Sequence, residues 1–213
     1  MSMTFFERNA FDALEHRYKV QLFNSIVGFK NVCLIATENH QKQTNVAIFN
    51  SLVHIGSNPP LLGVVFRPDS VARHTYENIL ETTYYTINLI AETDVAAAHQ
   101  TSARYERTDS EFSATGLTSA YKEGFHAPYV ASSPIAFGLV FRENIPLKIN
   151  GTNLIIGEVQ WLKFPSAIVG PDGFADLTEA KILGCIGLDA YTSGNIIHRF
   201  EYAKTDKIPT IKS

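Results

Sequence analysis

The stretch Asn45–Asn78, NVAIFNSLVHIGSNPPLLGVVFRPDSVARHTYEN, decides how the rest of the chain is read. Asn45 to Ile55 is rich in Val, Ile, Phe and Leu and reads as one extended segment, and Leu61 to Phe66 is a second, apolar throughout. Gly56-Ser57-Asn58-Pro59-Pro60 between them excludes a helix, because each proline removes a backbone donor and clashes with the turn before it. Beyond the second run come Arg67, Arg73, His74 and Thr75, where Ser70 can cap a helix that the following residues open. A strand end followed by a helix start gathers unpaired backbone N–H groups, a hydroxyl and two guanidinium forks, which is the chemistry of an anion site. Phe49, Asn50 and Ser51 place a flat apolar ring beside an amide and a hydroxyl at the far end of the first strand, and Phe66 ends the second run. A ligand with a phosphate at one end and a planar heteroaromatic at the other suits both groups.

Composition narrows the partners. The chain has 213 residues, 45% hydrophobic and 18% charged, as expected of one soluble globular domain spanning 1–213, with residues 1–24 as a helical extension and 201–213 as a tail. A net charge of −3 offers no basic face for nucleic acid or an anionic membrane, so any phosphate must be met locally. Cys33 and Cys185 are too few for a disulfide framework and read as buried free thiols. Residues 1–15 lack the pattern of a signal peptide, and no apolar run approaches the ~18 residues of a membrane span, so a cytoplasmic protein is expected.

Outward from the central stretch, Thr4-Phe5-Phe6-Glu7 has the spacing of a capping box and predicts a short helix from Phe5. Tyr18 to Val27 is mixed and reads as strand or loop. Asn31 to Thr37 predicts a strand buried on both faces, turning through Glu38 to Thr44 into the strand at Asn45 as a hairpin. Ser70 to Thr83 predicts a helix, Tyr84 to Ile90 a strand, and Ala91 to Ser102 a helix. Ala103 to Pro128 reads as a surface loop, and Pro134–Phe141, Pro146–Ile149 and Asn153–Leu162 as three strands, the last ended by Pro165. Gly170-Pro171-Asp172-Gly173 is a turn, Leu177 to Leu183 a short helix or ordered loop, and Thr205 to Ser213 a loose tail. Many strands and few helices predict a mainly β fold, an antiparallel barrel with peripheral helices.

The order and spacing of several short pieces resemble the flavin reductase-like family of FMN-binding split barrels, flavoredoxin among them. The pieces are Gly28-Phe29-Lys30-Asn31-Val32, Ala36-Thr37, Thr44-Asn45-Val46-Ala47, Asn50-Ser51, Ser57-Asn58-Pro59-Pro60 and Thr75-Tyr76-Glu77-Asn78-Ile79. Tyr85-Thr86-Ile87-Asn88-Leu89, Glu111-Phe112 with Gly116-Leu117-Thr118, Ser133-Pro134 and Gly157-Glu158-Val159 complete the set, which runs from about Ser25 to Phe200. The resemblance implies a split β-barrel that binds FMN. Ser51, Phe66, Arg67, Arg73, His74 and Thr75 would line its phosphate and ribityl chain, and Ala47, Ile48, Phe49 and Asn50 its isoalloxazine. It further implies hydride delivery from NAD(P)H, an electron-acceptor protein or second flavin, and a homodimer. His74 departs from the lysine or other polar residue expected at its position. Gly151-Thr152-Asn153 stands where many two-component reductases of the family carry a histidine before the Gly-Glu-Val strand, which leaves open a flavoredoxin-like carrier.

Other chemistries find little support. His54, His99, His126 and His198 share no metal-ligand spacing, no Gly-x-Gly-x-x-Gly follows a strand, and Ser132-Ser133 forms no nucleophile elbow. Arg67 and Arg73 as plain surface charges, and Phe49 as a plain core ring inside a barrel for some other apolar ligand, are the remaining alternatives.

Overall fold

A computed structural model describes residues 3–68 and 71–212. Its main body is a seven-stranded antiparallel sheet built from β2 (Cys33–Glu38), β3 (Thr44–Phe49), β4 (Leu52–Ser57), β5 (Pro60–Phe66), β6 (Tyr84–Leu89), β9 (Ala136–Leu147) and β10 (Thr152–Lys163). The strand order is β3-β2-β6-β9-β10-β5-β4, so β3 and β4 are the two outer edges. Yet only Asn50 and Ser51 separate them in the chain. The three Cα–Cα steps from Phe49 to Leu52 span at most about 11 Å, so the sheet must curl until its edges approach at that point, and they do not pair as strands elsewhere. This is a split barrel: closed by chain connection at one end of the seam and open along the rest. Asn45 to Ile55 is therefore not one strand, as the sequence led us to expect, but two that belong to opposite edges.

Burial follows from the alternation of side chains. Along β2, Cys33 and Ile35 join a core inside the barrel with Val64, Phe66, Ile79, Tyr85, Ile87, Leu139 and Ile155. Leu34 and Ala36 face the other way and pack with Val46, Ala98, Phe112 and Leu117. All six residues of β2 are buried, as the apolar run predicts. The second core is roofed by α4 (Val95–Gln100) and α5 (Glu111–Thr115). The helix α3 (His74–Thr82) follows β5 and packs on β2 and β3. Its predicted start at Ser70 lies outside the described residues; within them the helix begins at His74.

Several expectations need correction. The first helix, α1 (Arg8–Ala13), starts after Glu7 with no side-chain cap, so the Thr4 capping box does not form. Of residues 18–27, all but the capping Val27 belong to α2 (His16–Ile26), rather than to a strand or loop, and its N-terminus is held by the Glu15 carboxylate accepting from the Arg17 and Tyr18 N–H groups. Pro134–Phe141 and Pro146–Ile149 are one twelve-residue strand, β9. Pro146 is tolerated because β6 pairs with β9 only as far as Val140, leaving the proline's missing N–H on an unpaired side. Two short strands, β7 (Ser119–Ala120) and β8 (Tyr129–Val130), also lie within or just past the stretch read as loop. Leu177 to Ile182 forms hydrogen-bonded turns, and a small sheet of β1 (Lys30–Asn31), β11 (Leu183–Ile186) and β12 (Ala190–Ser193) was not foreseen. The tail folds back rather than hanging loose: Glu201 N–H bonds Thr210 O at 2.9 Å and Lys212 N–H bonds Arg199 O at 2.8 Å. The hairpin of β2 and β3, the strand β6 and the turn at Gly170–Gly173 stand as read. No helix among the described residues is long and apolar enough to cross a membrane.

Candidate functional site

Three pieces of chain converge at the seam. β3 supplies Ala47, Ile48 and Phe49, and the crossing supplies Asn50 and Ser51. β5 supplies Phe66, with an exposed Arg67 just beyond it, and the start of α3 supplies Arg73, His74 and Thr75. The rings of Phe49 and Phe66 have centroids 4.8 Å apart, and Phe66 and Tyr76 5.7 Å, so a row of aromatic rings joins β3, β5 and α3. Ser51 Oγ donates to Val65 O at 2.8 Å, stitching the crossing to β5, and Asn50 Nδ2 donates to Gly187 O at 3.0 Å.

The edge strand leaves donors open. Val46 N–H turns away from β2 to the Glu111 carboxylate at 3.1 Å. Backbone direction alternates along a strand, so Ile48, two residues on, also directs its N–H and C=O to the free edge. The first turn of α3 adds N–H groups that have no partner inside the helix. Ala47 and Phe49 point their backbone groups inward, to Ile35 and Cys33 of β2.

The side chains at the head of α3 are less available than their types imply. Thr75 is buried, and its hydroxyl lies 2.8 Å from the Asn45 side chain. Arg73 Nε reaches Pro68 O at 3.4 Å, while its backbone N–H donates to the Glu77 carboxylate at 3.0 Å. Among the described residues neither the Arg67 nor the Arg73 guanidinium bonds to β3 or Ser51. Burial, helped by the Arg107 charge and opposed by Glu106, pushes His74 below its usual range, which favours the neutral ring over the cation.

Arg107 escaped the reading of the sequence, and Glu111 entered it only as a piece of the family resemblance with no role of its own, because both fall in the stretch taken for surface loop. Arg107 bonds the Glu77 carboxylate and, at 3.1 Å, Asn78 Oδ1. Asn78 in turn donates to Thr37 of β2 at 3.0 Å. Glu111 is buried on α5, and Ser110 beside it meets Thr44 of β3 at 2.8 Å. The pattern Ser110-Glu111-Phe112 followed by Gly116, which takes φ 77° at the helix end, was the available signal for a short packed helix. Together these residues enclose a polar cavity of about 10 Å³ between β3, α3 and the 107–111 segment, room for one water.

Residues 29–176 match the family model of the flavin reductase like domain. The chain belongs to that family. A Shewanella frigidimarina protein whose crystal structure is assigned as a flavin reductase with a split barrel domain is 41% identical, with a TM-score of 0.91 over 94% of this chain and 100% of the other. Nitrilotriacetate monooxygenase component B from Bacillus cereus shares the fold at 20% identity, TM-score 0.81, over 95% of this chain and 100% of its own. Flavoredoxin of Desulfovibrio vulgaris does so at 22% identity, TM-score 0.68, over 84% and 91%. The chain is thus a flavin reductase-like split barrel, of the flavin-binding oxidoreductase class.

Proposed function

We propose that this flavin reductase-like protein binds FMN at the seam and passes hydride from NAD(P)H through it to an electron acceptor. The observation that carries the reading is the convergence of an open edge amide at Ile48, the Phe49–Phe66–Tyr76 row and the N-terminal turn of α3. These residues fit such a group. The half-buried Phe49 and Tyr76, backed by the buried Phe66, offer an apolar wall for a flat tricycle, the Ile48 N–H a donor for a ring edge that gains negative charge on reduction, and the α3 turn with Arg73 a cradle for the phosphate. Bound there, FMN supplies the two-electron chemistry; the protein's own residues bind it, orient it and leave one face accessible. No side chain is assigned as acid or base. We read the assembly as a homodimer and place it in the cytoplasm, where Cys33 and Cys185 stay reduced.

A second reading is a flavoredoxin-like carrier that exchanges electrons only with a partner protein. It is favoured by Gly151-Thr152-Asn153, which puts no imidazole at the start of β10. Anaerobic mixing of the FMN-loaded protein with NADH and NADPH separates the two: bleaching within a turnover supports the reductase, and bleaching by dithionite alone supports the carrier. The site itself is tested by Arg73→Ala, which should weaken FMN by about 1.5–3 kcal/mol and leave riboflavin unaffected. Equal losses for both ligands would refute the phosphate assignment, and a colourless protein that gains no thermal stability from FMN would refute the reading as a whole.

A further inference from the structure

Glu111, Asn45 and Thr75 form a buried line from α5 through β3 to the head of α3, with relative exposures of 6%, 6% and 5%. Glu111 Oε2 accepts from Val46 N–H at 3.1 Å, while its Oε1 lies 3.2 Å from the Asn45 amide, whose other end lies 2.8 Å from Thr75 Oγ1. In such a place each bond must run in one direction, because a misdirected buried donor or acceptor bears its full desolvation penalty. An ionised carboxylate only accepts, so it turns the Asn45 NH2 toward itself; the amide oxygen then takes the Thr75 hydroxyl hydrogen. A protonated carboxyl instead donates to the amide oxygen and turns the amide over. Asn45 Nδ2 then donates to Thr75 at the same 2.8 Å, the 3.2 Å bond from Val46 N–H to the amide oxygen is given up so that Val46 rests on Glu111 alone, and the hydroxyl hydrogen is released.

Resting on the reading of the seam as an FMN site, we propose that Glu111 is its positioning residue. Whether Glu111 carries a proton sets the direction of the Glu111–Asn45–Thr75 chain, and so decides whether Thr75 donates to a phosphoryl oxygen at the start of α3. Thr75 is the second residue of that helix, among the N–H groups of the first turn, so a released hydroxyl hydrogen adds one donor to theirs. Burial pushes the Glu111 carboxyl up, against its own backbone N–H and that of Val46. His74 of α3 and Arg107 and Asp109 of the loop before α5 share its cavity. Arg107 is engaged by Glu77 and Asn78, and His99 of the neighbouring α4 by Tyr191. On β3 the neighbours Gln43, Thr44 and Asn45 are uncharged.

The test titrates FMN and riboflavin, by fluorescence quenching, into the full-length protein and its Glu111→Gln variant from mildly acidic to mildly alkaline pH. The variant's amide holds Val46 with its oxygen and donates to Asn45 with its nitrogen, mimicking the protonated acid at every pH. It should bind FMN about 3- to 10-fold more tightly than wild type at the alkaline end and equally at the acidic end, with riboflavin unchanged. The ratio of the two proteins cancels the ionisation of the FMN phosphate itself. Thr75→Val supplies an independent arm: relative to wild type it should lose FMN affinity at acidic pH and keep it at alkaline pH. A wild-type to Glu111→Gln ratio that is flat with pH, or a Thr75→Val loss that is equal at all pH, overturns the proposal while leaving the flavin site standing. A wild type that binds neither ligand overturns the site and the proposal together.

Discussion

Gly157→Ala probes how the barrel wall and its interior share space. At Gly157, in the Gly-Glu-Val piece of β10, an added Cβ would fall inside the van der Waals envelope of the Tyr85 hydroxyl and 2.8 Å from the ring carbon that bears it. Tyr85 is 1% exposed and sits in the barrel core, so its ring has no route to solvent. Its hydroxyl is buried and has no hydrogen-bond partner among the described residues. Overpacking of this kind costs about 1–3 kcal/mol. Tyr85→Phe, by contrast, removes an unpaired buried hydroxyl and should be neutral or stabilising by up to about 1 kcal/mol, where most core truncations destabilise. Combined, the two substitutions should couple favourably by about 1 kcal/mol, since the atom nearest the new methyl is the one removed. Urea unfolding followed by the fluorescence of Trp161, the chain's single tryptophan, measures all three. A Gly157→Ala variant as stable as wild type, or a double variant equal to the sum of its parts, would refute this account of why glycine stands there.

Other outcomes follow from the same structure. Arg107→Ala should raise the pKa of His74, because the Arg107 charge helps hold that ring neutral; NMR titration of the imidazole reads this directly. Arg199 and the Phe174 N–H hold the Asp172 carboxylate down at about 2, against an ordinary 3.8. Its folded value is the depressed one, so its contribution to stability is present above about 3.8 and lost as pH falls through about 2. Amide exchange at Glu201 and Lys212, which pin the tail, should quicken over that fall, and Asp172→Asn should show the faster exchange at neutral pH. Burial pushes the Cys33 thiol up to about 12 and raises that of Cys185, so neither should react with a disulfide reagent in the native protein, and both should react on unfolding. Ser51→Ala should cost about 0.5–1.5 kcal/mol of stability by releasing Val65 O, measured in the same urea assay.

Much of the fold and part of the candidate site were legible in the chain. The hairpin from Cys33 to Phe49, the turn at Asn58-Pro59, the strand at Tyr84 and the helix ahead of it depend on alternation, apolar runs and turn chemistry that act over a few neighbours. The same local rules find Phe49, Phe66 and the head of α3, because ring, strand end and helix start are each written in consecutive residues. α2 buries no residue outright, yet Tyr18, Leu22 and Ile26 recur at helical spacing, a signal that the intervening Lys19, Val20 and Gln21 obscured. The polar Arg142-Glu143 pair broke the pattern of β9 although the backbone there remains in the sheet.

Sequence alone determined a mainly β chain with a hydrophobic strand running into a helix start. Only the tertiary structure decided that the segment from Asn45 to Ile55 is two strands, because an extended backbone looks the same on either side of Asn50-Ser51 and differs only in which strand it pairs with: β2 before the crossing, β5 after it. Tertiary structure likewise decided which hydroxyls are engaged and which backbone N–H groups stay open. Thr75 is held by Asn45, Ser51 by Val65, and Val46 by a carboxylate 65 residues away. A hydrogen bond's partner is set by where the chain returns in space, and no pattern of neighbouring residues carries that information.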